Sequence, residues 1–200
     1  MGGASFQRSR GASVPAARPG CALPSRGFTL IELLVTLSVA AVLLGIAMPS
    51  FSSFVKNSRL TTEADTMVAA LSLARSEAVK SDVTIDVCAS SDGATCTGAW
   101  KQGWIVICPA NCPPGLGASP AVLLVYPAVF NGNRADELNS GTTTVSFSST
   151  GQSTLGNLEF AFCDARGTSY GREVEVNSIG EITSSSTPGQ TVSGAALGGC

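Results

Sequence analysis

Histidine is absent from the chain. That removes the side chain most used as a general base near neutral pH and the commonest nitrogen ligand for a metal. Charged residues make up 13% of the 200, against roughly a quarter in an ordinary soluble domain. Aromatics are equally sparse, at 6%. The few carboxylates are scattered as on a solvated surface, and no phosphate-loop glycine pattern occurs. The chain is therefore read as a non-enzyme with no cofactor and no metal.

What is present is one long apolar run. It opens as Arg26-Gly27-Phe28-Thr29-Leu30-Ile31-Glu32-Leu33-Leu34-Val35 and continues to Pro49. Between Phe28 and Phe51 the only charged side chain is Glu32. About 22 helical residues at ~1.5 Å each span roughly 33 Å, close to the ~30 Å hydrocarbon core of a bilayer. A carboxylate inside such a segment is costly in lipid and requires a partner or a function. A secretory signal has a shorter apolar region, about 7 to 15 residues, ending at a small-residue cleavage site. A plain anchor needs neither the glycine–phenylalanine junction nor the acid.

The run Gly27-Phe28-Thr29-Leu30-Ile31-Glu32-Leu33-Leu34-Val35 resembles the class III signal of type IV prepilins, shared by type IV pilins and the pseudopilins of type II secretion. The resemblance implies cleavage between Gly27 and Phe28 by a membrane prepilin peptidase, on the cytoplasmic side, and N-methylation of the new Phe28 amine. It implies that Glu32, the fifth mature residue, neutralises the amino terminus of a neighbouring subunit in a filament. The physics is consistent: an unpaired carboxylate in lipid is expensive, and the amine of the next subunit is a ready cation.

Removing residues 1–27 changes the charge. The leader holds Arg8, Arg10, Arg18 and Arg26 and no acids, so eight basic side chains remain against 14 acidic ones and the formal charge moves from −2 to −6. A basic leader before one apolar helix obeys the positive-inside rule, which sends the C-terminal head outward. A net acidic mature chain is not an electrostatic match for nucleic acid. Cys21 falls in the leader. Cys88, Cys96, Cys108, Cys112, Cys163 and Cys200 remain, an even number in an exported region. Three disulfides are expected among 15 pairings. Proximity along the chain favours Cys88 with Cys96, Cys108 with Cys112, and Cys163 with Cys200. Cys108 and Cys112 also have a zinc-ligand spacing, but no second pair and no histidine accompany them.

Four segments are expected: a leader over 1–27, a transmembrane or filament-core helix over 28–51, an amphipathic continuation of that helix over 52–80, and a disulfide-tied, β-rich head over 81–200. In the second helical half Leu60, Ala64, Met67, Leu71, Ala74 and Ala78 recur at steps of three and four, a stripe that packs on a sheet. Lys56, Arg59, Glu63, Asp65, Arg75 and Lys80 fall mostly off that stripe, and Arg59 and Glu63, four apart, can pair. Gly45 and Pro49 weaken the helix, with a kink or local unwinding expected at Pro49. Beyond Lys80 the pattern shifts to strands: Val83–Cys88, Trp104–Cys108, Val122–Phe130 with Pro127 marking an edge or bend, Thr143–Ser148, Leu158–Cys163, Arg172–Val176 and Ile179–Thr183. Asn177-Ser178 fits the last tight turn. The tail from Ser184 to Gly199 is expected to be floppy unless Cys200 anchors it.

The helix end Ala74-Arg75-Ser76-Glu77-Ala78, the strand that follows, and Trp100-Lys101-Gln102-Gly103-Trp104-Ile105-Val106 together resemble the GspH/FimT family of minor pilins and pseudopilins. This implies an α+β, type IV pilin-like fold: a long N-terminal helix packed on an antiparallel β-sheet head. The two tryptophans are read as core. The implied partners are other pilin or pseudopilin subunits, the prepilin peptidase and the inner membrane. The implied role is a minor type IV pilin that initiates or caps a pilus. A type II secretion pseudopilin is the alternative, and a DNA receptor for natural transformation a further one. Some FimT-type members bind DNA through a Gly-Arg-x-Arg stretch near the C-terminus. Here Gly171-Arg172-Glu173-Val174 and Gly180-Glu181-Ile182-Thr183 each lack that pair of arginines. Arg166 with Arg172 would make only a small patch, giving weak, salt-sensitive binding.

Overall fold

The structure is a computed structural model and describes residues 27–200. Apart from Gly27, the expected leader lies outside those residues, as does Cys21. The chain divides into a first unit ending at Gly45 and a second unit, Ile46–Cys200.

One helix, α1, is assigned from Leu30 to Ser81. In the first unit it is exposed on every side, with Leu30, Ile31, Leu37 and Leu43 all more than 60% accessible. It is long and apolar enough to cross a membrane. The hydroxyls of Thr36 and Ser38 donate to the carbonyls of Leu33 and Val35, so neither leaves an unpartnered donor. The helical assignment continues through Gly45 and Pro49. The local unwinding expected at Pro49 is therefore not observed.

In the second unit the stripe is buried as expected: Leu60, Met67, Leu71, Ala74 and Ala78 are fully inaccessible, and Ala64 nearly so. Each large member contributes roughly 1.5–3 kcal/mol by leaving water. Two antiparallel four-stranded sheets share this core. The first has the order β3 (Ala121–Tyr126), β2 (Trp104–Cys108), β1 (Ile85–Ala89), β5 (Thr144–Phe147). The second has the order β4 (Arg134–Glu137), β6 (Leu158–Cys163), β7 (Arg172–Val176), β8 (Ile182–Ser184). Ile85, Val87 and Phe147 from the first sheet meet Leu158, Phe160, Val174 and Val176 from the second in one cluster with the helix stripe.

The two tryptophans lie in this core, as read from the sequence. Trp100 stands edge-on to Phe160 at 5.0 Å and donates its indole N–H to the Thr142 carbonyl at 2.9 Å. Trp104 stacks on Tyr126 at 5.7 Å and meets Phe162 edge-on. Between them Gly103 has φ 115°, and a Cβ there would lie 2.6 Å from the Tyr126 carbonyl oxygen. Only glycine lets Trp100 and Trp104 turn inward on either side of so close a backbone approach.

Two strands have a boundary displaced by three residues or more from expectation, and one strand was not expected. β3 stops at Tyr126 rather than Phe130, because Pro127 has no N–H to continue the ladder. β8 begins at Ile182 rather than Ile179: Gly180 sits at φ 77°, and the Asn177 side chain accepts from the Glu181 N–H, so residues 177–181 form the turn. β4 has no counterpart in the sequence reading. Its residues Arg134-Ala135-Asp136-Glu137 place one apolar side chain among three charges, which suits an edge strand but shows no alternation.

Candidate functional site

The junction residues are accessible. Gly27 and Phe28 precede the helix, and Phe28 is 78% exposed. Thr29 and Glu32 form a capping box: the Glu32 N–H donates to Thr29 Oγ1 at 3.2 Å, and the Thr29 N–H reaches Glu32 Oε2 at 3.5 Å. Among the described residues the Glu32 carboxylate has only this long backbone contact.

The head is tied at three places. Cys88–Cys96, Cys108–Cys112 and Cys163–Cys200 are joined, with Cα separations of 5.4, 5.9 and 5.9 Å. The first closes a loop in which Asp92 accepts from Ser90 Oγ, the Ala94 and Thr95 N–H groups and Thr95 Oγ1. Those bonds hold its carboxyl well below the usual carboxylate range. The third secures a tail that is not floppy. Leu197 is buried beside Ala161 and Cys163, the Gly189 N–H donates to the Gly171 carbonyl, and the Val192 N–H donates to Glu173 Oε2. Burial pushes the Glu173 carboxyl up. Among the described residues no group of histidine, cysteine, aspartate or glutamate could hold a metal ion.

The expected Arg59–Glu63 ion pair does not form within 4 Å. Glu63 is 4% exposed and turns toward the head. Its Oε1 accepts from the Phe130 N–H at 2.7 Å, and both oxygens accept from Asn133 Nδ2. Burial raises its pKa against these bonds and the nearby Arg59 charge. Arg59 lies instead over the Phe130 ring, 5.1 Å from its centroid. The backbone beyond β3 brings both groups here. Beside them a 190 Å³ cavity is lined by Glu63, Trp104, Tyr126 and Phe130.

The two arginines weighed for nucleic acid are both engaged in the fold. Arg172 Nη1 donates to the carbonyls of Ser185 and Ser186. Arg166 is paired with Asp164 at 2.7 Å, donates to Asn57 Oδ1 and lies 4.1 Å over the Tyr170 ring. Gly167-Thr168-Ser169-Tyr170-Gly171 has the glycine–serine–glycine spacing of a hydrolase nucleophile elbow. Ser169 sits on a single 3-10 turn leading into β7, not on a strand-to-helix elbow, and the chain has no histidine to activate it.

A family model described as type II transport protein GspH matches residues 63–180. One described as the prokaryotic N-terminal methylation motif matches residues 24–48. Among solved structures, the type IV minor pilin FimU of Pseudomonas aeruginosa PAO1 is similar in two crystal forms. In one, identity is 25% and the TM-score 0.53, over 69% of this chain and 98% of that one. In the other, identity is 25% and the TM-score 0.51, over 66% and 98%. The minor pseudopilin EpsH from the type 2 secretion system of Vibrio cholerae aligns at 13% identity and TM-score 0.46, over 64% of this chain and 96% of that one. No curated protein matches the chain. With more than half its length matched by the family model, a methylation motif at the start of its apolar helix and the pilin-like α+β fold, the chain belongs to the GspH family of type IV minor pilins and minor pseudopilins, structural subunits and not enzymes.

Proposed function

We propose that the chain is made as a prepilin, cut between Gly27 and Phe28 by the prepilin peptidase and methylated on the Phe28 amine. Residues 28–51 hold it in the inner membrane with the head in the periplasm. It then enters a filament with other pilin subunits, where it initiates or caps a type IV pilus. The observation that carries this reading is Glu32. Among the described residues it is the only acid in the exposed apolar part of the helix, its side-chain hydrogen bonds are those of the capping box, and it stands five residues into the proposed mature chain. The Phe28 amine of a neighbour supplies a cation for it.

The first test is intact mass and N-terminal sequencing of the protein from membranes, with and without the peptidase. A chain that starts at methylated Phe28 only when the peptidase is present is the expected result. Retention of residues 1–27, or cleavage after the apolar run, overturns the reading. Glu32→Ala is then expected to leave processing intact and abolish incorporation into filaments.

A second reading, a pseudopilin of type II secretion, is favoured by the description of the family model that matches residues 63–180. Deleting the gene separates the two: loss of pili with intact protein secretion supports the pilus, and the reverse supports the secretion system. The DNA-receptor reading has less behind it, because Arg166 and Arg172 are both bonded within the head.

A further inference from the structure

The chain holds seven asparagines. In six of them the side chain, or the backbone N–H that follows it, is tied down. Asn57 accepts from Arg166, and Asn133 donates to Glu63. Asn157 accepts from the Ser178 N–H, and Asn177 is bonded to Glu181 through both side-chain atoms. After Asn111 the Cys112 N–H donates to Ser119 Oγ, and after Asn139 the Ser140 N–H donates to the Glu137 carboxylate. Asn131 is the exception. It is exposed, and among the described residues neither its side chain nor the Gly132 N–H makes a hydrogen bond. An asparagine loses its side-chain amide when the nitrogen of the next residue attacks Cγ. A hydrogen bond on that nitrogen opposes the attack, as does a bulky next residue. Gly132 has no Cβ, and one built there would meet nothing within 4 Å.

The place of this pair in the fold gives the reaction a consequence. Asn131 and Gly132 are the middle of a turn closed by the Asn133 N–H on the Phe130 carbonyl at 2.8 Å, with Gly132 at φ 91°. Both ends of the turn grip the same group. The Phe130 N–H donates to Glu63 Oε1 at 2.7 Å, and Asn133 Nδ2 donates to both Glu63 oxygens. The Asn131–Gly132 peptide therefore lies between two donors that converge on one buried carboxyl, and the backbone of these two residues sets the donor spacing.

We propose that Asn131 is a site of deamidation and isomerisation in the folded chain, and that the product loosens the Glu63 clamp. The Gly132 nitrogen forms a bond to Asn131 Cγ, and the Cγ–Nδ2 bond breaks. The proton of the Gly132 N–H leaves with Nδ2 as ammonia, and a five-membered succinimide remains. Water then opens the ring. Cleavage at Cγ gives aspartate, whereas cleavage at the Asn131 backbone carbonyl carbon gives isoaspartate. In either case the new carboxyl releases its proton. In isoaspartate the main chain runs through Cβ and Cγ, so the path from Phe130 to Asn133 gains a methylene. The turn also acquires a negative charge. The longer path breaks the match between the two donors and Glu63, and the charge opposes ionisation of that carboxyl.

The test incubates the full chain, folded in detergent micelles, at mildly alkaline pH and follows its peptides by liquid chromatography and mass spectrometry. The peptide holding Asn131 is expected to gain about 1 Da and to split into two new isomers. The larger is expected to be isoaspartate, which an isoaspartyl methyltransferase labels. Because Gly132 carries no side chain, the gain is expected to run about tenfold faster than at Asn139–Ser140 or Asn177–Ser178 in the same sample. Asn131→Ser is expected to abolish it. Hydrogen exchange at the Phe130 amide is expected to quicken about tenfold in the isoaspartate form, through local opening, and to stay at the starting rate in incubated Asn131→Ser. No gain at this peptide, or a gain no faster than at the two asparagine–serine pairs, overturns the site. A gain that persists in Asn131→Ser belongs to another residue and overturns it as well. Isoaspartate at 131 with unaltered Phe130 exchange overturns the loosening of the clamp.

Discussion

Glu63 and Asn133, 70 residues apart in sequence, meet with the amide nitrogen of Asn133 3.0 Å from Oε1 and 2.9 Å from Oε2 of the carboxylate. The Phe130 N–H adds a third donor. This contact fastens the loop that follows β3 to the helix, at the edge of the buried stripe.

The contact carries a pH signature. Burial raises the folded-state pKa of Glu63 above its ordinary 4.5. The folded chain then holds a proton that the unfolded chain releases, so the stability from this group is complete below pH 4.5 and is lost as pH rises through the folded value. Glu63→Gln does not titrate. Urea midpoints compared from about pH 4 to about pH 8 are expected to show wild type losing ground to the variant as pH rises. A difference that is flat or grows in favour of wild type contradicts the assignment.

Leu71 lies fully buried in the stripe between the helix and both sheets. Leu71→Ala is expected to cost about 2–5 kcal/mol, the transfer of the lost carbons plus the cavity they leave. Val125→Ala on the outer face, where Val125 is 49% exposed, is expected to cost less than about 1 kcal/mol. Chemical denaturation of the two variants checks the contrast.

Cys163 and Cys200 close the largest of the three loops, with a separation of 37 residues. In the chain-entropy view this cross-link contributes roughly 3–4 kcal/mol. Cys200→Ser is expected to lower stability by that order and to open residues 186–199 to limited proteolysis, while cleavage in the Cys88–Cys96 loop stays unchanged. The remaining hydrogen bonds of the tail, from Gly189, Leu197 and Val192, make the opening partial rather than complete.

Gly180 has φ 77°, and a Cβ there would run into the carbonyl of Gly151, the same carbonyl that accepts from Arg75 Nε. Gly156 has φ 82° with open space around it. Ala at Gly156 is expected to cost about 1 kcal/mol from backbone strain alone, and Ala at Gly180 distinctly more. Thermal unfolding of the two single variants separates the strain from the collision.

The sequence carried the helix, its stripe, most of the strands and the family signal, because each rests on a local pattern. Leu60 to Ala78 repeat with helical period, and Val83 to Val87 alternate. The missed features are those in which one residue depends on a distant one. Glu63 looks like a helix-surface acid paired with Arg59 until the loop after β3 delivers Asn133 and Phe130. Even so, its place one turn from Leu60 and Met67, on the stripe itself, was a signal. β4 offers no alternation to read, and its pairing with β6 (Ala135 opposite Phe162) is visible only in three dimensions. The order of the tail likewise depends on β7, through Glu173 and Gly171.

Cys200 is committed to a bond with Cys163 at the end of β6. A loop away from that bond can change in length and leave it undisturbed. Pro109 to Pro120, mostly exposed, leads from β2 to the edge strand β3. It is the natural place to graft a foreign epitope or a fluorescent label, whereas a tag appended after Cys200 would crowd Leu138 and Leu197 at the disulfide.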